Sequence, residues 1–278
     1  MVCLKRFRRT ALFLFTIGVT VILPPWIPAA DLSILTLEEP PQNFTDSSGK
    51  LTGLSIDIVK EIQNRIGNKT PIKVYPWKRA YLKALKEPNV VLFTAARTPA
   101  REDRFHWITL VNRNAWQFFA KKGERIKISH LDQAKNVEAI GVLRGGAREA
   151  LLKTKGFTNL SPVAAHIQNI KKLVSGRIDL MFYAPTGAAQ TCRNANIPFS
   201  DLSPVFTVSV IEAYIVMSKN GTPDHRVRQW KTAADNIKAD GTYGRIARKW
   251  QAYMYRVNHL STFIEDGGLN LWAPAPHQ

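Results

Sequence analysis

Apolar positions along this chain fall into short continuous runs separated by stretches with helical spacing, and the two kinds alternate. Asp31 to Leu37, with S-I-L-T-L at its centre, predicts a strand. Leu54, Ile58, Ile62 and Ile66 recur four residues apart and put one apolar face on a predicted helix over Leu54 to Ile66. Pro71 to Tyr75 reads as a strand, Arg79 to Leu85 as a helix and Val90 to Phe93 as a buried strand. The order then repeats, with strands at Ala139 to Leu143, Leu160 to Val163 and Ile178 to Phe182. Helices are predicted between them at Arg148 to Lys155 and Ile167 to Val174. Such alternation predicts an α/β fold with two mostly parallel sheets, each flanked by helices.

Trp116 to Ala120 and Glu212 to Met217 are extended segments at the boundaries of the second unit, and helices over Asp224 to Ile237 and Tyr243 to Tyr255 follow. The layout predicts two lobes: residues 31–119 begin the first, 120–214 form the second and 215–255 return to the first. Two crossing strands then make a hinged cleft. Residues 256–278, containing Gly267-Gly268 and Ala273-Pro274-Ala275-Pro276, are expected to be a loosely packed extension.

The first thirty residues stand apart. Lys5, Arg6, Arg8 and Arg9 precede an apolar run from Ala11 to Leu23, and Ile27-Pro28-Ala29-Ala30 offers small residues for cleavage. This is the pattern of a Sec-type signal peptide, cleaved after Ala29 or Ala30, and it predicts a periplasmic protein. The alternative is an uncleaved anchor. Cleavage removes four of the 39 basic residues and none of the 21 acidic ones, so the mature chain keeps a strongly positive field that favours anionic ligands or surfaces. No basic block with interleaved aromatics points to nucleic acid. Cys192 is the only thiol outside the leader, which excludes an internal disulfide. The six histidines are scattered and read mostly as surface residues; no metal or other cofactor is expected.

The strongest candidate chemistry lies in Thr94 to Trp107, T-A-A-R-T-P-A-R-E-D-R-F-H-W. Thr98 offers a hydroxyl N-cap and Pro99 a first helical residue, so a strand end and a helix start meet with Arg97 and Arg101 flanking them. Open α/β sheets bind ligands at such junctions. A guanidinium there can grip a carboxylate through two parallel hydrogen bonds. The alternative is surface ion pairing with Glu102 and Asp103.

Four segments carry a resemblance over roughly Leu32 to Trp250. Gly49-Lys50-Leu51-Thr52-Gly53-Leu54-Ser55-Ile56-Asp57 is similar to a G-x-L-x-G-F-D-x-D turn, Thr98-Pro99-Ala100-Arg101 to T-x-x-R, and Ser175-Gly176-Arg177-Ile178-Asp179 to S-G-x-x-D. Lys238-Ala239-Asp240-Gly241-Thr242-Tyr243, ending at Lys249-Trp250, is similar to K-A-D-G-T-Y…K-W. In this order they resemble the family 3 bacterial extracellular solute-binding proteins, periplasmic binders of polar amino acids for ABC transporters. The resemblance implies a two-lobed type II periplasmic-binding fold, a monomer and an inner-membrane permease as partner. It also implies that Arg101 holds a ligand carboxylate, with Thr94 and Arg97 beside it. From the second lobe it implies a loop at a helix N-terminus, here Leu143-Arg144-Gly145-Gly146-Ala147, whose backbone N–H groups approach an anion while Arg144 adds charge or merely faces solvent.

The departures from the family pattern bear on the ligand. Members that bind α-amino acids place an aspartate just past the last strand of the second lobe; Phe182-Tyr183-Ala184-Pro185 has no carboxylate, and Tyr183 is the candidate contact left there. A hydroxyl usual near Ala96 and Arg97 is missing. Glu39 either supplies a negative charge from the first lobe or is a solvated loop acid. Tyr75-Pro76-Trp77-Lys78-Arg79 is similar to a P-W-x-R segment of a less characterised branch of the family; it places Trp77 and Arg79 at the cleft rim, unless Trp77 caps the core. The leading expectation is capture of a small polar, carboxylate-bearing solute, without catalysis. The alternatives are a cyclohexadienyl dehydratase-like enzyme, with Glu39 or Glu149 as general acid, and a sensor that presents its liganded form to a receptor.

Overall fold

The computed structural model describes residues 31–265 and 268–272. The signal-peptide segment, Gly267 and Ala273-Pro274-Ala275-Pro276 lie outside the described residues. The first lobe begins with β1 (Ser33–Thr36), β2 (Phe44–Thr45), β3 (Leu51–Thr52), α1 (Leu54–Arg65), β4 (Ile72–Val74), α2 (Trp77–Lys86) and β5 (Val90–Ala96). After β6 (Phe105–Lys121), the second lobe contains β7 (Ile140–Leu143), α3 (Ala147–Thr154), β8 (Leu160–Val163), α4 (His166–Val174), β9 (Leu180–Tyr183) and α5 (Pro185–Asn194). The chain returns through β10 (Leu202–Ser218) and ends in α6 (Asp224–Ala239), α7 (Thr242–Asn258), β11 (Phe263–Glu265) and β12 (Gly268–Asn270).

The predicted alternation is present, and it brings β1 into parallel pairing with β4 and β5, and β7 with β8 and β9. The two sheets are nevertheless one hydrogen-bonded ladder, in the order β4-β1-β5-β10-β6-β9-β7-β8. The cause is the length of β6 and β10, which are 17 residues each and pair antiparallel from Phe105–Ser218 to Lys121–Leu202. At about 3.3 Å per residue such strands run some 55 Å, long enough to serve both lobes. Their pairing shifts register at four places along β10, and such bulges twist and bend a ladder.

Separate cores sit on each lobe. Ile34, Ile58, Phe93, Trp230 and Trp250 belong to one in the first lobe, while Phe118, Val142, Leu152 and Phe182 belong to one in the second. Gly53, in the turn that leads into α1, has φ +137°, and a Cβ there would sit 2.1 Å from the Gln42 carbonyl oxygen. Only glycine fits so close an approach. Within the expected loose C-terminal extension, the described residues of β11, β12 and Leu271 are packed. β12 pairs with β11 and, in parallel, with β6, and Leu269 and Leu271 are buried in the first-lobe core. Two leucines spaced to face one core outweigh the glycine-rich composition around them.

Candidate functional site

The carboxyl ends of β1 and β5, the β7–α3 junction and the middles of β6 and β10 converge on a cavity of about 60 Å³. Arg101 enters it from a six-residue 3-10 helix, Pro99–Arg104, rather than from the expected α-helix. Thr98 stands at the N-cap in extended conformation, but its side chain makes no capping bond; the Arg101 N–H donates to the Thr98 carbonyl at 2.9 Å. The tight turn carries the Arg101 side chain inward, where the residue is 5 % exposed. Its guanidinium lies 5.0 Å from the Trp77 ring centre and 4.9 Å from that of Tyr81, and Nη1 donates to the Ala96 carbonyl at 3.3 Å. No carboxylate of the described residues pairs with it. Burial consequently pulls its pKa below the ordinary arginine value. A buried cation without a counter-ion is costly by itself and is relieved by an anion.

Thr94 marks the same spot on the strand. It is the extra residue where the β5–β10 register shifts, and its φ of +64° is a strained value for a β-branched residue. The bulge turns its hydroxyl toward Asn43 and to 3.2 Å from the Ser55 hydroxyl. Strain of this kind concentrates where a backbone is shaped for a ligand.

Glu39 is neither free nor solvated. It is 6 % exposed, and one oxygen accepts from Arg148 Nη2 at 3.0 Å while the other lies 2.8 Å from His166 Nε2. Burial alone raises its pKa, but the charges and hydrogen bonds of His166 and Arg148 outweigh it and bring the carboxyl down to about 2. Glu39 is therefore ionised at neutral pH and has no proton to give as a general acid. His166 is itself lowered, chiefly by burial, so at neutral pH its ring is uncharged and donates through Nε2, Arg148 supplies the lasting counter-charge, and the charge of His166 acts on Glu39 only once acid protonates the ring. With Glu39 consumed by Arg148, the cavity keeps the uncompensated positive charge of Arg101. Asn112 Oδ1 and Asn114 Oδ1, on β6, are buried there without hydrogen-bond donors, and each is a neutral acceptor.

Residues 32–253, most of the chain, match the family described as "Bacterial extracellular solute-binding proteins, family 3". The protein belongs to this family. No curated protein matches its sequence. Among solved structures it is similar to a histidine kinase sensor domain with similarity to periplasmic binding proteins, at 15% identity and a TM-score of 0.71 over 80% of this chain and 96% of that one. It is also similar to an ancestral arginine-binding protein bound to arginine, at 23% identity and a TM-score of 0.69 over 80% and 99%. A third is an ABC uptake transporter substrate binding protein from Streptococcus pneumoniae with bound histidine, at 14% identity and a TM-score of 0.68 over 79% and 92%. These likenesses establish the two-lobed type II periplasmic-binding fold.

Within this family 3 protein the predicted residues divide. Glu39, Trp77, Thr94, Arg101 and Gly146 line the cavity. Trp77 is buried, and its indole N–H crosses between lobes to donate to the Gly145 carbonyl at 2.9 Å, so it is a wall rather than a rim. Arg97 stays outside the inner cavity because Glu102 holds it, with Nε to Oε2 at 2.9 Å, between the rings of Trp107 and Tyr214. Arg79 is exposed over Tyr75, and Arg144 is exposed with Nη2 donating to the Pro162 carbonyl at 3.1 Å. Tyr183 lies behind the site, fully buried and stacked on His166 with centroids 3.7 Å apart.

The N–H groups expected from the double glycine are occupied. Gly145 N–H donates to Glu149 and Gly146 N–H to the Leu143 carbonyl at 3.0 Å, while Ala147 and Arg148 of the first turn of α3 line the cavity. Sequence reasoning missed Arg148, which opens a predicted helix, and His166, one of six scattered histidines that read mostly as surface residues. It also missed the asparagine pair Asn112 and Asn114, whose alternate spacing on β6 puts both on one face of the strand. Among the described residues no group of histidine, cysteine or acidic side chains could hold a metal.

The Glu39–His166 pair gives the protein an acid limb. Folded His166 resists a proton that the unfolded chain accepts below its ordinary value of about 6.5, so stability falls as pH drops below that point. Glu39 contributes stability that is complete above about 4.5 and is lost as pH falls through its folded pKa of about 2. Thermal unfolding at pH 8, 5.5 and 3 is expected to give Tm values in descending order. A maximum near pH 6 instead would mean that the imidazole gains its proton on folding.

Proposed function

We propose that this protein captures a small carboxylate-bearing solute in the cleft between its lobes, outside the cytoplasmic membrane, and delivers it to an ABC permease. The observation that carries the reading is Arg101, a buried guanidinium without an acidic partner at the strand-to-helix junction of the first lobe, lining one cavity with the first turn of α3 from the second. A carboxylate placed there satisfies the guanidinium. Residues 31–119 with 215–255, and 120–214, are the two lobes that would close on it, with β6 and β10 as hinges. The leader pattern of residues 1–30 and the extracellular family support a periplasmic monomer working with an inner-membrane permease. Its similarity to a transporter binding protein supports delivery. The likeness to a kinase sensor domain supports a second reading, in which the liganded protein is presented to a receptor.

The test is to purify the protein from its native compartment, release retained small molecules by denaturation and identify them by mass spectrometry. The released solute is then titrated calorimetrically against the emptied protein. A retained carboxylate with micromolar or tighter affinity is expected. A tightest-binding solute without an anionic group would sink the proposal.

A further inference from the structure

Arg101, Trp116, Ala147 and Ile211 line both the inner cavity and a second chamber of about 600 Å³. The inner space alone, about 60 Å³, holds a carboxylate and little more, whereas small-molecule sites run from about 300 to 1,000 Å³. The adjoining chamber falls in that range. Its walls are largely apolar: Leu131, Leu151, Val208 and Ile211 all pack onto the second-lobe core from partly buried positions. Arg97 and Lys155 are charged residues on its lining, both cations, and Arg97 is already engaged by Glu102.

The polar lining also says what the head of the solute lacks. Glu39 is the one acidic residue lining the inner cavity, and Arg148 and His166 take both of its oxygens. The position beside Ala184 offers no carboxylate. The free acceptors are the neutral carbonyls of Asn112 and Asn114, which suit a hydroxyl or an amide N–H. An ammonium seated there would be buried with no charge of its own to meet.

We infer that the solute is an amphipathic monoanion: a carboxylate on Arg101, a neutral donor rather than an ammonium beside Asn112 and Asn114, and an apolar body in the adjoining chamber. This rests on the reading of the cleft as a carboxylate site and narrows it to a ligand class.

The experiment is calorimetric titration of the purified, emptied protein with 3-phenyllactate, phenylalanine and lactate, and with arginine, glutamate and succinate as polar controls. The first three share one skeleton: phenylalanine exchanges the hydroxyl for an ammonium, and lactate removes the ring. Phenyllactate is expected to bind at least tenfold tighter than any of the others. Ala150→Trp, at an exposed position on the chamber wall, is expected to weaken phenyllactate at least tenfold and leave lactate unchanged.

Phenylalanine binding as tightly as phenyllactate overturns the exclusion of ammonium. Lactate binding as tightly, or Ala150→Trp without effect, overturns the role of the chamber. Tighter binding of arginine, glutamate or succinate overturns the inference while leaving carboxylate capture standing. No binding of phenyllactate overturns the inference outright. The broader reading fails separately, if the retained solute carries no anion.

Discussion

Replacing Glu39 by alanine is expected to lower the stability of the protein by about 3–5 kcal/mol, the usual result of stranding one partner of a buried ion pair. The residue bridges lobes: it follows β1 in the first, and its oxygens are held by Arg148 of α3 and His166 of α4 in the second. With the carboxylate gone, the Arg148 guanidinium stays buried over the rings of Tyr183 and Trp116 with no anion, and the His166 Nε2–H loses its acceptor. The loss should come from the charge left behind more than from the pair itself. Glu39→Ala combined with Arg148→Met should therefore recover most of it, giving a large favourable coupling in the double-mutant cycle. Urea denaturation of the four proteins, with unchanged m, measures it. A single-mutant cost below about 1 kcal/mol would mean the pair behaves as a solvated one.

Arg101→Met should do the opposite. Its charge is buried without an acidic partner, so removing it is expected to leave the emptied protein as stable as before or to raise its stability by about 1 kcal/mol. Binding should suffer instead. Truncating a charge that meets a buried carboxylate costs about 2–5 kcal/mol, or roughly 30- to 5,000-fold in affinity. Arg101→Lys should rescue little, because a lysine ammonium cannot offer two parallel N–H groups or spread over Trp77 and Tyr81 as the planar group does. Calorimetry with the retained solute, beside denaturation of the emptied protein, separates the two effects. If Arg101→Met unfolds the protein more easily and keeps the wild-type affinity, Arg101 is a packing residue.

Much of this architecture was legible in the sequence where its cause is local. Val90 to Phe93 and Ile140 to Leu143 are short runs buried on both faces, and the apolar four-residue spacing of α1 names its inner face. α5 escaped because its buried positions, among them Gly187, Ala188 and Ala189, are small and carry no amphipathic stripe. β6 was seen only at Trp116 to Ala120, since the rest of it mixes Asn112, Arg113 and Asn114 into a strand that changes surroundings as it passes from lobe to lobe. In the site, Arg101 was legible because its position is set by the adjacent strand and turn. Arg148 and His166 were not, because their role depends on Glu39, 109 and 127 residues away along the chain. No pattern within a window reports such a partner. Arg97 pairs with Glu102, five residues on, which is the ion-pair alternative the sequence itself offered.

The parallel docking of β12 beside β6 governs how the protein can be made. The core that begins with Ile34 is finished by Leu269 and Leu271, so the first lobe is sealed by nearly the last described residues to leave the ribosome. Pairings this distant must close a long loop before they return any stability, which makes them slow. A chain emerging in order thus completes the second-lobe core before the first, whose closure waits for the strand that ends the described residues.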